Sequence, residues 1–298
     1  MKKWTTVLLG AILIISLTAC GNNEGARNVA NVSDPVATTG SNELATNGDA
    51  KPGTPTVEEL IQKTTEASQS LKSFAIESKI EQNIKMKQGD TSQDQKVKMT
   101  ITSEIIKEPM QMHQEILMDL AGQGEQKIEQ YITADGIYTE TAGQWMKLPS
   151  EMTAQMTEMV KESGSPEKQL EQFKSIAKDT TVSEEGDAYL LTAEVSGDNV
   201  KELAKSYMDQ ASNGDPQMTA LMEQMNIKSM KISYAVDKKT YLPTKTNVDM
   251  VMDMEASGQN ISLDMKMTGN LSKHNEIKEI KVPDEAKNAQ EVQIPAAQ

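Results

Sequence analysis

The sequence contains few side chains of the types that usually carry out catalysis. There are two histidines, His113 and His274, and a single cysteine, Cys20. His113 occupies a polar position of a predicted strand and His274 lies in a charged turn, so we expect both at the surface. Neither a Gly-x-Ser-x-Gly sequence nor a glycine-rich phosphate loop is present. We therefore predict that the protein has no catalytic residues and is not an enzyme. An extracellular hydrolase with a convergent site is an alternative to the two non-enzymatic functions described below.

Metal binding is a second chemistry that the composition raises. The chain has 20 methionines, and thioethers are soft ligands that select Cu(I). They stand at strand spacing, however, without a cluster of histidine or cysteine beside them. Asp249, Asp253 and Asp264 share the polar face of predicted strands and could attract calcium, but no loop has the spacing of a dedicated site. We predict no metal site and no cofactor.

The first twenty residues end in the motif Leu17-Thr18-Ala19-Cys20. Two lysines stand at positions 2 and 3, and residues 7–17 form an apolar run too short to span a bilayer. The motif resembles the bacterial lipobox, in which the cysteine thiol is acylated with diacylglycerol and becomes the first residue of the mature protein. The sequence thus predicts a signal peptide over residues 1–19 and a lipid anchor on Cys20. We expect the protein on the outer, extracytoplasmic face of the cell membrane.

The charge of the chain limits its partners. The formal net charge is −14, which argues against nucleic acid and against electrostatic adhesion to anionic lipid. The expected partners are the membrane, reached through the lipid on Cys20, and either a lipid ligand or another protein of the cell envelope. Since aromatic residues are only 3 % of the chain, methionine must fill part of the core.

Composition divides the chain into segments. Residues 20–55 are polar and small, so we expect a flexible tether whose typical span is about 30–35 Å. Residues 56–283 form the predicted folded domain, and residues 284–298 a disordered tail.

Periodicity predicts the elements of that domain. Thr56-Val57-Glu58-Glu59 is a capping box that opens a helix. Alternation with a period of two predicts strands from Phe74 to Leu148, at 189–195 and from 230 to 268. Helices are predicted between them, near 152–160, from Pro166, at 199–211 and at 216–225. The predicted fold class is α+β, a large curved antiparallel sheet (a half-barrel) with helices packed on its concave face.

Three short motifs carry a family resemblance: Asp135-Gly136-Ile137-Tyr138 followed by Trp145-Met146-Lys147-Leu148-Pro149, Asp237-Lys238-Lys239-Thr240-Tyr241-Leu242-Pro243, and Ile280-Lys281-Val282-Pro283. With the element order, they resemble the LolA-like and LppX-like superfamily of bacterial lipoproteins, and in particular its members in Gram-positive bacteria. The resemblance covers about Thr56 to Pro283, with the last motif as a terminal strand. It implies a hydrophobic cavity between sheet and helices that holds acyl chains.

Methionine suits the wall of such a cavity, because its unbranched side chain adapts to mobile ligands. The alternative is a closed core in which the methionines fill gaps. The function that we expect is binding of an acyl chain or lipid, and the alternative is a ligand-free interaction or sensor lipoprotein. The candidate cavity residues are Ile80, Ile84, Met99, Ile116, Met118, Met250, Met252, Met254, Met265 and Met267.

Overall fold

The computed structural model describes residues 53–89, 91–120, 124–163, 166, 167, 170, 173, 179–196, 225–256 and 259–292. None of the helices in these ranges is both long and apolar enough to cross a bilayer. The predicted signal peptide, Cys20 and most of the tether lie outside the described residues, as do the helices predicted at 199–211 and 216–224.

Helix α1 (Val57–Gln69) begins where the sequence predicts. The Thr56 hydroxyl accepts a hydrogen bond from the Glu59 amide at 3.2 Å, and the Glu59 carboxylate accepts one from the Thr56 amide at 3.0 Å. This reciprocal pair satisfies two amides that a helix start leaves without partners. The helix buries Val57, Leu60 and Ile61 on one side.

Twelve strands form one large open sheet, in the order β12-β6-β5-β4-β3-β2-β1-β11-β10-β9-β8-β7. All pairs are antiparallel except β12 with β6. This confirms the predicted large antiparallel sheet, although β7 was not predicted. The strands are β1 (Ser73–Gln88), β2 (Thr91–Ile106), β3 (Gln111–Leu120), β4 (Gly124–Thr133), β5 (Gly136–Thr141), β6 (Gln144–Lys147), β7 (Thr180–Glu185), β8 (Ala188–Ser196), β9 (Met225–Asp237), β10 (Pro243–Ala256), β11 (Gln259–Ser272) and β12 (Gln290–Glu291).

The strand register separates the side chains into two very different faces. Directly opposite residues in an antiparallel pair point to the same side, so the pairing assigns each residue to a face. On β1–β4 and β8–β11, one face carries no Asp, Glu, Lys or Arg among the described residues. We call this the neutral face; it contains Ile80 and the residues in register with it. The other side is the charged face.

A row of alternating charges crosses the charged face from β3 to β8. Each member lies opposite a residue of the other sign on the next strand, and we call the set the charge row. Two of its pairs are ion pairs, Lys98 with Glu81 at 3.9 Å and Lys231 with Glu194 at 3.7 Å. The row consists of Asp119, Lys98, Glu81, Lys266, Asp249, Lys231 and Glu194.

The buried core is divided among several clusters rather than spread evenly along the sheet. On the neutral face, α1 packs on β8 and β9, where Leu60 and Leu191 belong to the same cluster. Helix α2 (Ser150–Ser163) packs through Met156 and Val160 on one end of strands β1 to β5, where Phe74, Ile105 and Ile132 are buried. A third cluster, around Val97, lies farther along β2 and β3. The fourth lies on the charged face, where the carboxyl-terminal segment covers Tyr131 and Tyr138.

That segment corrects two predictions. Residues 284–291 are not a disordered tail, because helix α3 (Asp284–Lys287) buries Ala286 and β12 pairs with β6. Residues 277–283 do not form a terminal strand either; Ile280 is buried in the cluster on the charged face without pairing to the sheet. The apolar residues Ile280 and Val282, which suggested a strand, instead belong to an irregular segment that packs over Tyr131 and Tyr138.

Helical residues after α2 agree with the predicted helix from Pro166 where they are described. Pro166, Leu170 and Phe173 are helical and buried, and the last two join the cluster around α1. Two further positions of that predicted stripe, 176 and 177, lie outside the described residues. Met225 begins β9, so the helix predicted at 216–225 is wrong at its last residue.

The charge row predicts a register-dependent contribution to stability. Lys266→Glu places a third carboxylate between Glu81 and Asp249, so two favourable cross-strand pairs become repulsive. We expect the free energy of unfolding to fall by about 1–2 kcal/mol in urea denaturation at low salt, and less at high salt because exposed charges are screened.

The matched control is Lys96→Glu, which changes the net charge equally. Lys96 is exposed on the charged face of β2 opposite Asn83, outside the charge row. We expect this substitution to cost less than about 0.5 kcal/mol. Equal losses for both variants would show that the row contributes nothing beyond net charge.

Candidate functional site

All ten candidate cavity residues lie on the neutral face. The pairing explains this: Ile80 lies opposite both Met99 and Met267, and Met99 in turn lies opposite Met118. The sequence predicted these positions as a set, and the structure brings them to one surface. Their role in ligand binding remains a prediction.

The ten positions differ in how they are packed. Met118 is buried, and Ile84 and Met99 pack against its cluster. Met250 and Met252 pack against the cluster around α1. The other five are half-buried and belong to none of the four clusters of described buried residues: Ile80, Ile116, Met254, Met265 and Met267.

Further half-buried apolar residues on the same face extend this surface. They were not among the candidates, although the alternation that identified the methionines includes several of them. We call the complete set the open band: Ile80, Met86, Ile101, Ile116, Ile128, Val248, Met254, Ile261, Leu263, Met265 and Met267.

The open band is large. Along β1 it runs from Ile80 to Met86, and across the sheet it runs from β4 to β10. With a rise of about 3.3 Å per residue and strands about 4.8 Å apart, this corresponds to roughly 20 Å by 25 Å. The hydrocarbon of one bilayer leaflet is about 15 Å thick, half of the core of the bilayer. An acyl chain therefore fits on the band along either direction.

Polar side chains on the neutral face are uncharged. Ser103 is buried and accepts a hydrogen bond from the Gln114 amide at 3.0 Å. Gln82 lies opposite Val97 and Met265, in the middle of apolar residues. Its amide has no hydrogen-bond partner among the residues that the structure describes. Sequence analysis missed Gln82, although its position in an apolar stripe marks it.

A cluster of ionisable residues occupies the charged face instead. The His113 ring stacks on Tyr131 with centroids 4.4 Å apart, and its Nε2 lies 3.1 Å from a Glu129 carboxylate oxygen. The Tyr131 hydroxyl donates to the same oxygen at 2.9 Å. Lys127 forms ion pairs with Glu115 at 2.5 Å and with Glu129 at 3.6 Å. His113 is thus half-buried in a network, not a simple surface residue.

The pKa values in this cluster move away from neutrality. Burial, and then the hydrogen bond to Glu129, raise the pKa of Tyr131 well above its usual range. Burial alone would raise the pKa of Glu129, but hydrogen bonds from Tyr131 and His113 and the charge of Lys127 lower it. A general acid or base works best with a pKa near the operating pH. These two groups are held in one protonation state, which suits a structural network.

The second histidine is half-buried as well. Burial lowers the pKa of His274, against the opposing effect of its hydrogen bond to the Pro243 backbone. Its Nε2 is buried and has no partner among the described residues. The expectation of a surface position is therefore wrong for His274, because its ring is half-buried and forms a hydrogen bond with the backbone of Pro243 at the start of β10.

The acidic residues considered for calcium lie on the charged face, as predicted. Asp253 pairs with Lys228 at 2.6 Å, and this contact lowers the pKa of its carboxyl. Within the described ranges, no group of three or more His, Cys, Asp or Glu side chains could hold a metal ion. A cleft of about 680 Å³ lies on this side as well, between the turn at Asp135 and the segment around Ile280. Its rim carries charges of both signs, including Asp284 and Lys287.

The different packing of the methionines and the core predicts different costs of truncation. Leu191 is fully buried, so Leu191→Ala should lower the free energy of unfolding by about 2–5 kcal/mol. Met265 is half-buried in the open band, so Met265→Ala should cost less than about 1 kcal/mol, because little cavity forms. Urea denaturation measures both. A loss at Met265 as large as that at Leu191 would identify a closed core.

Comparisons with known proteins give a family but no function. No curated protein matches the sequence. Solved structures similar to this chain include LprF from Mycobacterium bovis, at 10 % identity over 78 % of this chain and 100 % of that one, with a TM-score of 0.39. A DUF1329 family protein from Desulfovibrio piger matches at 11 % identity over 74 % and 93 % of the two chains, with a TM-score of 0.23. The LolA superfamily protein NE2245 from Nitrosomonas europaea matches at 10 % identity over 76 % and 96 %, with a TM-score of 0.18.

These TM-scores are too low to define the fold, which is described instead by the strand order and register given above. The sequence itself matches one family over residues 56–291, which include the whole described sheet and the carboxyl-terminal segment on the charged face. This chain belongs to the family of unknown function DUF6612.

Proposed function

We propose that the protein is a membrane-anchored lipoprotein that binds an acyl chain or lipid on the open band. The observation that carries this proposal is the neutral face: it has apolar side chains that are only half-buried and no charge on the eight strands concerned. A protein with a net charge of −14 excludes every charged residue from this surface. Contiguous apolar patches of several hundred Å² on a monomer are commonly functional.

Burial of this surface would drive binding. Covering apolar area contributes roughly 25 cal/mol per Å², before the entropic costs of association are subtracted. Methionines such as Met254, Met265 and Met267 can follow the shape of a mobile chain, because their thioether side chains have three rotatable bonds. In this proposal the sheet curves around the ligand, and the open band is the wall of the cavity. Helix α1 covers the cavity at β8 and β9, and helix α2 covers it at β1 to β5.

The amino-terminal segment gives the proposed location. Cys20 carries the lipid anchor, and the tether up to residue 55 holds the domain on the outer face of the membrane of a Gram-positive bacterium. A span of about 30–35 Å would keep the open band within reach of membrane lipids. The alternative, a ligand-free interaction or sensor lipoprotein, uses the same anchor and differs in the role of the open band.

Native mass spectrometry tests the ligand. The full chain with Cys20→Ser, expressed in bacteria and purified without detergent, should carry a co-purifying mass of an acyl lipid, whether a fatty acid, an acylglycerol or a phospholipid. Met267→Glu places a charge in the open band and should abolish that mass, because an unpaired charge in an apolar contact is costly. The matched control is Thr268→Glu, on the neighbouring position of β11 and the charged face, which should retain it.

The opposite result is equally informative. A clean apo mass that stays clean after incubation with phosphatidylglycerol vesicles containing mono-oleoylglycerol would contradict lipid binding and favour the interaction module. Retention of the ligand by both variants would place the bound lipid elsewhere on the molecule. Circular dichroism of each variant shows whether the sheet is intact.

Membrane fractionation tests the anchor. We expect the wild-type protein in the membrane fraction and Cys20→Ser in the soluble or secreted fraction, since the acidic chain has no basic patch to hold it at anionic lipid. Alkaline carbonate washing separates an acyl anchor from peripheral adhesion. An unchanged distribution of Cys20→Ser would overturn the assignment of Cys20.

A further inference from the structure

We propose that Gln82 and Gln95 recognise an uncharged hydrogen-bonding group of the bound lipid, such as an ester, an amide or a hydroxyl attached to the acyl chain. This inference rests on the proposed function and adds which class of lipid the site selects. It would make the ligand a neutral acylglycerol-like or amide-linked molecule rather than a free fatty acid or a bare hydrocarbon.

The register places the two glutamines next to one another. Gln82 on β1 lies opposite Val97, and Gln95 on β2 lies opposite Ile84, so the two are diagonal neighbours on the neutral face. Diagonal neighbours in an antiparallel pair are about 7–8 Å apart, within reach of long side chains. One polar group between them can therefore contact both amides.

Apolar residues surround Gln82, and Ile84 lies opposite Gln95. On the far side of β1, Gln82 faces Met265 of the open band, and Ile80 and Ile84 flank it along the strand. Gln82 and Gln95 are both half-buried. Neither amide has a hydrogen-bond partner among the residues that the structure describes. A ligand that covered them without offering a partner would incur the cost of desolvating two amides.

The amide pair differs from several other glutamines on this face. Gln114 donates to Ser103, so its hydrogen-bonding capacity is already used within the sheet. Gln93 near the end of the β1–β2 hairpin and Gln126 on β4 are exposed to water. Gln82 and Gln95 combine partial burial, apolar neighbours and free amides.

The absence of charge on the neutral face decides which polar group fits. Glutamine offers two donors and one acceptor oxygen and no charge. A carboxylate or phosphate transferred there would lose hydration without meeting a cation, since none of the described residues of β1–β4 and β8–β11 presents one on this face. A neutral carbonyl or hydroxyl loses far less and gains hydrogen bonds from the amides.

Three probes with the same oleyl-length chain separate these possibilities: mono-oleoylglycerol, oleate and octadecene. Each is titrated against the delipidated full chain carrying Cys20→Ser, and native mass spectrometry reports the dissociation constants. We expect mono-oleoylglycerol to bind at least about tenfold more tightly than oleate. Gln82→Leu and Gln95→Leu should each weaken it by about 3- to 10-fold, the equivalent of one hydrogen bond, while octadecene binds as well as before or better.

Gln126→Leu is the matched control, because it makes the same substitution on the same face at an exposed position. It should leave all three affinities unchanged. If a leucine variant does not fold, as judged by circular dichroism, Gln82→Met and Gln95→Met replace it with side chains of similar length.

The outcomes separate this inference from the function on which it rests. Two results would overturn the role of the amide pair and leave lipid binding in place. In the first, the leucine variants weaken the binding of octadecene as much as that of mono-oleoylglycerol. In the second, the wild-type protein prefers oleate. Failure of the wild-type protein to bind any of the three probes would overturn both.

Discussion

The alternation of side chains along a strand is the constraint on which the structure depends. Each residue of a strand points to the face opposite its neighbours, so a strict alternation of apolar and polar residues divides the sheet into two surfaces. Here the division is complete on eight strands: charges gather on one face and leave the other neutral. The buried clusters, the ionisable network around Tyr131 and the open band all follow from this separation.

Much of the architecture was predictable because the signals are local. The capping box at Thr56 and the long period-two segments specify elements by short-range physics, and the structure confirms them. Strand β7 escaped prediction because it contains one large apolar residue, Val182, and reads as a polar loop. The segment from residue 284 was wrongly predicted to be disordered, since its polar composition hides the contacts that order it: Ala286 in the charged-face cluster and the pairing of β12 with β6.

The candidate site was predictable as a surface but not in its detail. Periodicity placed ten residues on one face correctly, yet it cannot tell a covered position from an open one. Met118 and Met265 have the same pattern, and only the first is buried, because covering depends on what packs above the sheet. Gln82 was overlooked for a related reason: a single polar residue in an apolar stripe carries no signal until the register shows apolar neighbours on both adjacent strands.

The charge row has a consequence for how the chain reaches its native pairing. A register slip by one residue is strongly unfavourable, because it would turn the apolar side chains of the strand to water. A slip by two residues keeps every side chain on its proper face, and an apolar pattern cannot detect it. On β1 and β11, however, such a slip in one direction would bring Lys79 opposite Lys266 and Glu81 opposite Asp264. The charged face thus disfavours a pairing error that the apolar pattern of the neutral face does not distinguish from the native register.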